Sequence, residues 1–177
     1  MQIVITSRKA ATLDTWRRAR VAGPEVTFHQ GWRSAMPVDA MVVAGVHAFP
    51  RLGGRPRWDR AQIIENTHYD AWPKFLVVPP TRPMVLGEDG VARIHPDFRR
   101  IRPASYAASE AIAEIVRWNA TQDDAISATE VNLPLLEFDN PADASSARAF
   151  QAALRDRLTA ETVPAGLTPA SAAGRYG

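Results

Sequence analysis

Pro37-Val38-Asp39-Ala40-Met41-Val42-Val43-Ala44-Gly45-Val46-His47-Ala48-Phe49-Pro50-Arg51-Leu52-Gly53-Gly54 is the stretch that decides the fold. From Asp39 to Val46 the run is almost continuously apolar. Strands covered on both faces, as in sheets flanked by helices, read this way. The residues that follow, His47 to Gly54, read as a loop ending in paired glycines, where backbone can come close to a ligand.

Working outward toward the N-terminus, Gln2 to Thr6 is a short β-branched strand. Ala10 to Val21 has helical spacing, with Leu13, Trp16 and Ala19 or Arg20 along one side, and Gly23-Pro24 stops it. Val26 to Gln30 alternates as a second strand, and Gly31 to Pro37 is a connector. In the other direction, Pro56 is placed to open a short helix through Trp58, Ala61 and Ile64. Lys74 to Val78 is a buried strand cut off by Pro79-Pro80. Met84 to Leu86 and Val91 to Ile94 flank Glu88-Asp89-Gly90 as a hairpin.

Pro103 to Asn119 is the clearest helix, with Ala108, Ile112, Ile115 and Val116 on one face. Ala125 to Val131 is the last strand. Asn140-Pro141-Ala142-Asp143 then starts a helix with a cap residue, a proline and an acid near the positive end of the dipole. That helix runs through Ala149, Phe150, Ala153 and Leu154 to Leu158. Alternating strands and helices predict an α/β three-layer sandwich: a central mixed, largely parallel sheet flanked by helices. Residues 1–158 form one domain in this reading. Residues 159–177, rich in Ala, Pro, Gly, Ser and Thr, form an extended or flexible tail.

Composition narrows the function classes. The chain has 177 residues, 46% hydrophobic and 23% charged, enough for one full core. No apolar run approaches the roughly 18 residues of a membrane span. The chain opens on a strand rather than a leader, and a cytoplasmic protein is expected. There is no cysteine, so disulfides and thiolate chemistry are excluded. His29, His47, His68 and His95 are scattered without ligand spacing, and neither a metal nor another cofactor is expected. Neither a phosphate-binding Walker loop nor a Gly-x-Ser-x-Gly turn is present. The net charge is +2, and only Lys9 and Lys74 are lysines. Arg51, Arg55, Arg57 and Arg60 cluster around the paired glycines, and Arg93, Arg99, Arg100 and Arg102 form a second group. Arginine forks suit phosphate, and equally suit a solvated surface. No aromatic-basic motif accompanies them, so nucleic acid is not an expected partner.

The order of elements, from Val26-Thr27-Phe28-His29-Gln30-Gly31 through Val38-Asp39-Ala40-Met41-Val42-Val43 to Gly53-Gly54 and on to a strand, a loop and a capped helix, resembles the macro domain family. It is similar to the macro-domain-like proteins of bacteria and their phages. It covers residues 1–158. The family binds ADP-ribose and related nucleotides, and some members hydrolyse ADP-ribosyl linkages. The resemblance implies that Gly53 and Gly54 form the glycine-rich first loop. His47 falls where the family often has an asparagine near the distal ribose. Trp32 stands where an aspartate usually reads the adenine, and would stack rather than accept hydrogen bonds. Gly45, Phe49, Arg51 and Arg55 complete the implied binding set. The second loop, Val131 to Asp139, departs from the family. It has no glycine; Leu133, Leu135 and Leu136 bring bulk, Pro134 removes a donor, and Glu137 and Asp139 add negative charge.

Three functional readings result. The first is a divergent module that binds ADP-ribose or a related nucleotide-type ligand without catalysis. The second is a protein-interaction or structural protein with a filled pocket, meeting a protein partner or a second copy of itself. The third is an ADP-ribosyl hydrolase in which His47 or Asp59 orients the attacking water.

Overall fold

The computed structural model describes residues 1–19, 26–31, 37–55, 57, 59–68, 71–80, 84–94, 103–133, 147, 148, 150–152 and 155, and the structure set out here is that of these residues. The elements in chain order are β1 (Gln2–Ser7), α1 (Ala10–Arg18), β2 (Val26–Gln30), β3 (Ala40–Val42), α2 (Gly45–Leu52), β4 (Gln62–Glu65), β5 (Phe75–Val78), β6 (Met84–Leu86), β7 (Ala92–Ile94), α3 (Pro103–Thr121) and β8 (Ala128–Asn132). Six strands form one sheet in the order β2-β1-β8-β3-β5-β4. β2, β1, β8, β3 and β5 run parallel, and β4 is an antiparallel edge. The fold is therefore α/β with a mixed, largely parallel sheet and interleaved helices. β6 and β7 pair separately as the expected hairpin, with Gly90 at φ 73° in its turn.

Register sorts the side chains by face, because successive strand residues point to opposite sides. Ile3, Thr129, Ala40 and Phe75 lie abreast on the first face, followed by Ile5, Val131, Val42 and Val77. Leu13 and Trp16 of α1, and Ala108, Ala111, Ile112 and Ile115 of α3, pack into this face with Ile126, Leu133 and Phe150. The Trp16 and Phe150 rings meet at 5.7 Å between centroids. On the second face, α2 sets Ala48 against Leu76 and Val78, with Met41, Phe49, Leu52, Ile64 and Trp72 around them. Each large apolar side chain fully buried contributes about 1.5–3 kcal/mol. The first face holds most of these, so it dominates stability and leaves the second freer to carry polar groups.

Two expected elements are different. The central strand does not reach Val46. It ends at Val42, and the chain turns through Val43 and Ala44 into α2, which occupies most of the expected loop. Gly45, Ala48, Phe49 and Leu52 have the i, i+3, i+4, i+7 spacing of a helix face, and burying that face on β5 decides the conformation. The short helix expected over Pro56 to Ile64 is also overturned. Residues 62–65 form β4, where Ile63 turns to the first face and Ile64 to the second. Pro56 and Trp58 lie outside the described residues. The other elements fall close to expectation, β8 with a shift to Ala128–Asn132. Of the last expected helix, Ala147, Arg148, Phe150, Gln151, Ala152 and Arg155 are helical; its capped start and the tail from Thr159 lie outside the described residues.

Candidate functional site

In a parallel sheet all the strands end at one edge, and loops and helix N-termini gather there. Here that edge carries the ends of β2, β1, β8, β3 and β5. α2 begins at it. Its N-cap, Ala44, offers no side-chain acceptor, and no acidic residue stands in its first turn. The N–H groups of His47 and Ala48 both donate to the Ala44 carbonyl, at 2.9 and 3.3 Å. Neither the N-cap nor the first turn of α2 therefore supplies a side chain that compensates the positive end of the helix at the carboxyl edge.

The expected site residues divide into groups. Gly45, Phe49 and Gly54 form a packing unit: a Cβ built on Gly45 would lie 2.5 Å from Phe49 Cε2, and one on Gly54 would lie 3.2 Å from Phe49 Cδ1. Gly53, at φ 75°, closes α2 by donating its N–H to the Phe49 carbonyl at 2.9 Å. The paired glycines therefore end a helix instead of forming the tip of a loop. His47 and Arg51 are one turn apart on the exposed side of α2, beside Val46, which is 73% exposed. Arg51 lies over the Trp72 ring, 4.8 Å from its centroid. Arg55 is exposed, and its carbonyl accepts from Gln62 Nε2 at 3.1 Å.

Asp59 pairs with Arg57 at 3.3 Å. Desolvation raises its pKa, but a backbone hydrogen bond, the bond from Arg57 and the charges of Arg57 and Arg60 outweigh it, leaving the carboxyl below its ordinary value. Such a carboxylate is a weak proton acceptor. Trp32 lies outside the described residues. Of the second loop, Leu133 is fully buried in the core of the first face. Its bulk fills that core and does not crowd the α2 side of the sheet; Pro134 to Asp139 lie outside the described residues.

Register also assembles residues that the sequence reading passed over. Thr27, Val4, Glu130, Met41, Leu76 and Ile64 form one row across the second face. The next row toward the carboxyl edge contains His29, Thr6 and Asn132. Thr6 Oγ1 donates to Glu130 Oε1 at 2.7 Å, and Glu130 is only 1% exposed. A charged residue inside the strand Ala128-Thr129-Glu130-Val131-Asn132 was the available signal, since carboxylates are seldom fully buried.

Among the described residues no group of three or more His, Cys, Asp or Glu side chains could hold a metal ion, and no helix is long and apolar enough to cross a membrane. No protein family model and no curated protein matches the chain.

Proposed function

We propose that the chain is a divergent macro domain-like module that binds a nucleotide-type ligand, ADP-ribose or a relative, at the carboxyl edge of its sheet. One observation carries the reading: the N-terminus of α2, with neither an acidic first turn nor a side-chain cap, stands at the end of β3, and β3 is hydrogen-bonded to β8 with its polar Asn132. A helix start of this kind favours an anionic group such as a phosphate. The resemblance of the sequence to macro domains and the parallel order of β2, β1, β8, β3 and β5 are compatible with the same ligand class. In this reading His47, exposed in the first turn, lies beside the phosphate, and binding rather than catalysis is the activity.

Calorimetry and thermal denaturation with ADP-ribose, NAD and AMP test the proposal. Saturable heat and a rise in melting temperature are expected; a ligand at 100 times its Kd stabilises by about 2.7 kcal/mol. His47→Glu places a negative charge in the first turn of α2, and it is expected to weaken phosphate-bearing ligands while the fold persists. Neither heat nor stabilisation at millimolar concentrations of all three compounds would overturn the proposal.

A further inference from the structure

The two edges of the sheet differ in how their backbone is covered. Residues of an antiparallel strand bond alternately toward and away from their neighbour. The Asn66 N–H donates to the Lys74 carbonyl at 2.7 Å, while the Phe75 N–H turns the other way, to the Asp39 carbonyl. Gln62, Ile64 and Asn66 therefore bond toward β5, and Ile63 and Glu65 direct their N–H and C=O groups outward. β4 ends the sheet, and among the described residues no hydrogen bond reaches those outward groups. At the opposite edge the Gly31 N–H donates to the Ser7 carbonyl, so Phe28 faces outward, and its carbonyl accepts from Arg17 Nη2 at 3.3 Å. Edge strands are commonly blunted by a proline, a lysine, a bulge or a covering group. β4 reads Gln62-Ile63-Ile64-Glu65, and its register with β5 is unbroken along its length. Ile63 and Ile64 stand half-buried at this edge.

We infer that β4 is the seam of a homodimer, in which it pairs antiparallel with β4 of a second copy to make one continuous sheet. A twofold axis sets the same segment on both sides, and the chemistry of the strand fixes its register. Paired residues lie on one face, so the axis passes through a residue. Centring on Glu65 would set two carboxylates directly against each other, which is destabilising. Centring on Gln62 or Ile63 would bring Ala61 into the seam, and Ala61 is fully buried. Centring on Ile64 meets every condition. The outward groups of Ile63 then exchange hydrogen bonds with those of Glu65 in the second copy, and the axis repeats the exchange. Ile64 meets Ile64 of the second copy on the second face, and Glu65 stands opposite Ile63 rather than another charge. The strand is thus its own complement, which favours a second copy over an unrelated strand. Antiparallel pairing sends the carboxyl edges of the two copies to opposite ends of the joined sheet. The seam therefore does not involve the N-terminus of α2 and does not rest on the nucleotide reading.

Sedimentation of the full-length chain over a concentration series tests the seam. A short edge buries less than the roughly 1,600 Å² of a standard interface, so a reversible, concentration-dependent dimer is expected. Glu65→Pro removes an outward N–H and leaves the β4/β5 bonds in place; it is expected to weaken the dimer by about tenfold or more. The chain has no cysteine, so a single introduced thiol reports the register. Opposed residues of a pair that exchanges no hydrogen bonds lie about 4.5 Å apart between Cα atoms, within disulfide reach. Mild oxidation is expected to cross-link Ile64→Cys into covalent dimers. Ile63→Cys, whose counterpart lies diagonally across the seam, is expected to cross-link far more slowly. Circular dichroism checks the fold of each variant, and the cross-link decides the matter if Glu65→Pro fails to fold. A chain that stays monomeric at millimolar concentration would overturn the proposal and leave this edge to a strand of another protein. A dimer that gives no cross-link in Ile64→Cys would overturn it as well, by placing the contact elsewhere.

Discussion

Asp39 and Ser127 lie 88 positions apart in the chain, yet a single oxygen holds them together. Asp39 Oδ2 accepts from the Ser127 N–H at 2.8 Å, the Ser127 hydroxyl at 2.6 Å and the Ala128 N–H at 3.0 Å. The backbone at the same position joins both neighbouring strands: the Asp39 N–H donates to the Ala128 carbonyl, and the Asp39 carbonyl accepts from the Phe75 N–H, each at 3.0 Å. One residue thus sets the start of β3 against both β8 and β5, and with it the position of α2.

The clasp predicts an acid-sensitive stability. Burial pushes the Asp39 carboxyl upward, but the hydrogen bonds from Ser127 and Ala128 outweigh it, and its pKa lies below the ordinary value. A depressed folded-state pKa favours the folded, ionised form. The stabilisation is therefore complete above the unfolded-state value, near 3.9, and is lost as pH falls through the lower folded value. Asp39→Asn is expected to lower stability at pH 7 by about 1–2 kcal/mol, as for hydrogen bonds to a half-buried charge. Urea midpoints at pH 7, 5 and 3 check this: the gap between variant and wild type holds at pH 7 and 5 and narrows at pH 3. A gap that does not depend on pH would refute the role of the charge.

Gly45 and Phe49 predict a coupled pair. The Phe49 ring lies against Gly45 on one side and Gly54 on the other, so it has little room to retreat from a methyl group. Gly45→Ala is expected to destabilise by about 1–3 kcal/mol, as overpacking does. With Phe49→Ala already in place, the same change is expected to be neutral or mildly stabilising, since alanine is the better helix former. A double-mutant cycle by chemical denaturation measures the coupling; additive effects would mean that the ring does not hold the position.

Leu133 separates two accounts of the second loop. Were it a plug in the ligand cleft, trimming it would improve nucleotide binding. It is instead 0% exposed among Ile5, Val131 and Phe150 on the first face. Leu133→Ala is therefore expected to cost about 2–5 kcal/mol and to gain no nucleotide affinity. Tighter nucleotide binding at unchanged stability would return Leu133 to the cleft.

The difference between what could and could not be read from the residues is one of competing periods. α3 was legible because Ala108, Ile112 and Ile115 repeat on one helix face among polar residues. β5 was legible because prolines bound a short apolar run. From Ala40 to Ala48 every residue except His47 is apolar or small, so a strand continuing through Gly45 and a helix starting there fit equally well. Pro50, which removes a helical donor, and the paired glycines Gly53-Gly54 both weigh locally against a helix. Packing of Ala48 and Phe49 on β5 settles it, and no local pattern contains that contact. The same holds for the candidate site. Gly53 and Gly54 stand out in the sequence, whereas the row of His29, Thr6 and Asn132 exists only once three strands from distant parts of the chain are aligned.

The link from α3 to β8 supplies the last prediction. Asn119 Nδ2 donates to the Ile126 carbonyl and Asn119 Oδ1 accepts from the Ile126 N–H, both at 2.8 Å. Beside this pair, Trp118 Nε1 donates to the Asp124 carbonyl at 3.0 Å, and Lys74 pairs with the Asp124 carboxylate. Ile126 is fully buried, so its backbone groups have no ready access to water in place of Asn119. Asn119→Leu removes both partners and is expected to cost about 2–4 kcal/mol. Asn119→Asp keeps an acceptor for the Ile126 N–H but sets a second acceptor against its carbonyl, so an intermediate loss is expected. Denaturation of both variants ranks the losses, and hydrogen exchange at the Ile126 amide locates them. Exchange should accelerate strongly in Asn119→Leu and less in Asn119→Asp. Equal stability of wild type and Asn119→Leu would show that the loop into β8 is held by packing of Ile126 alone.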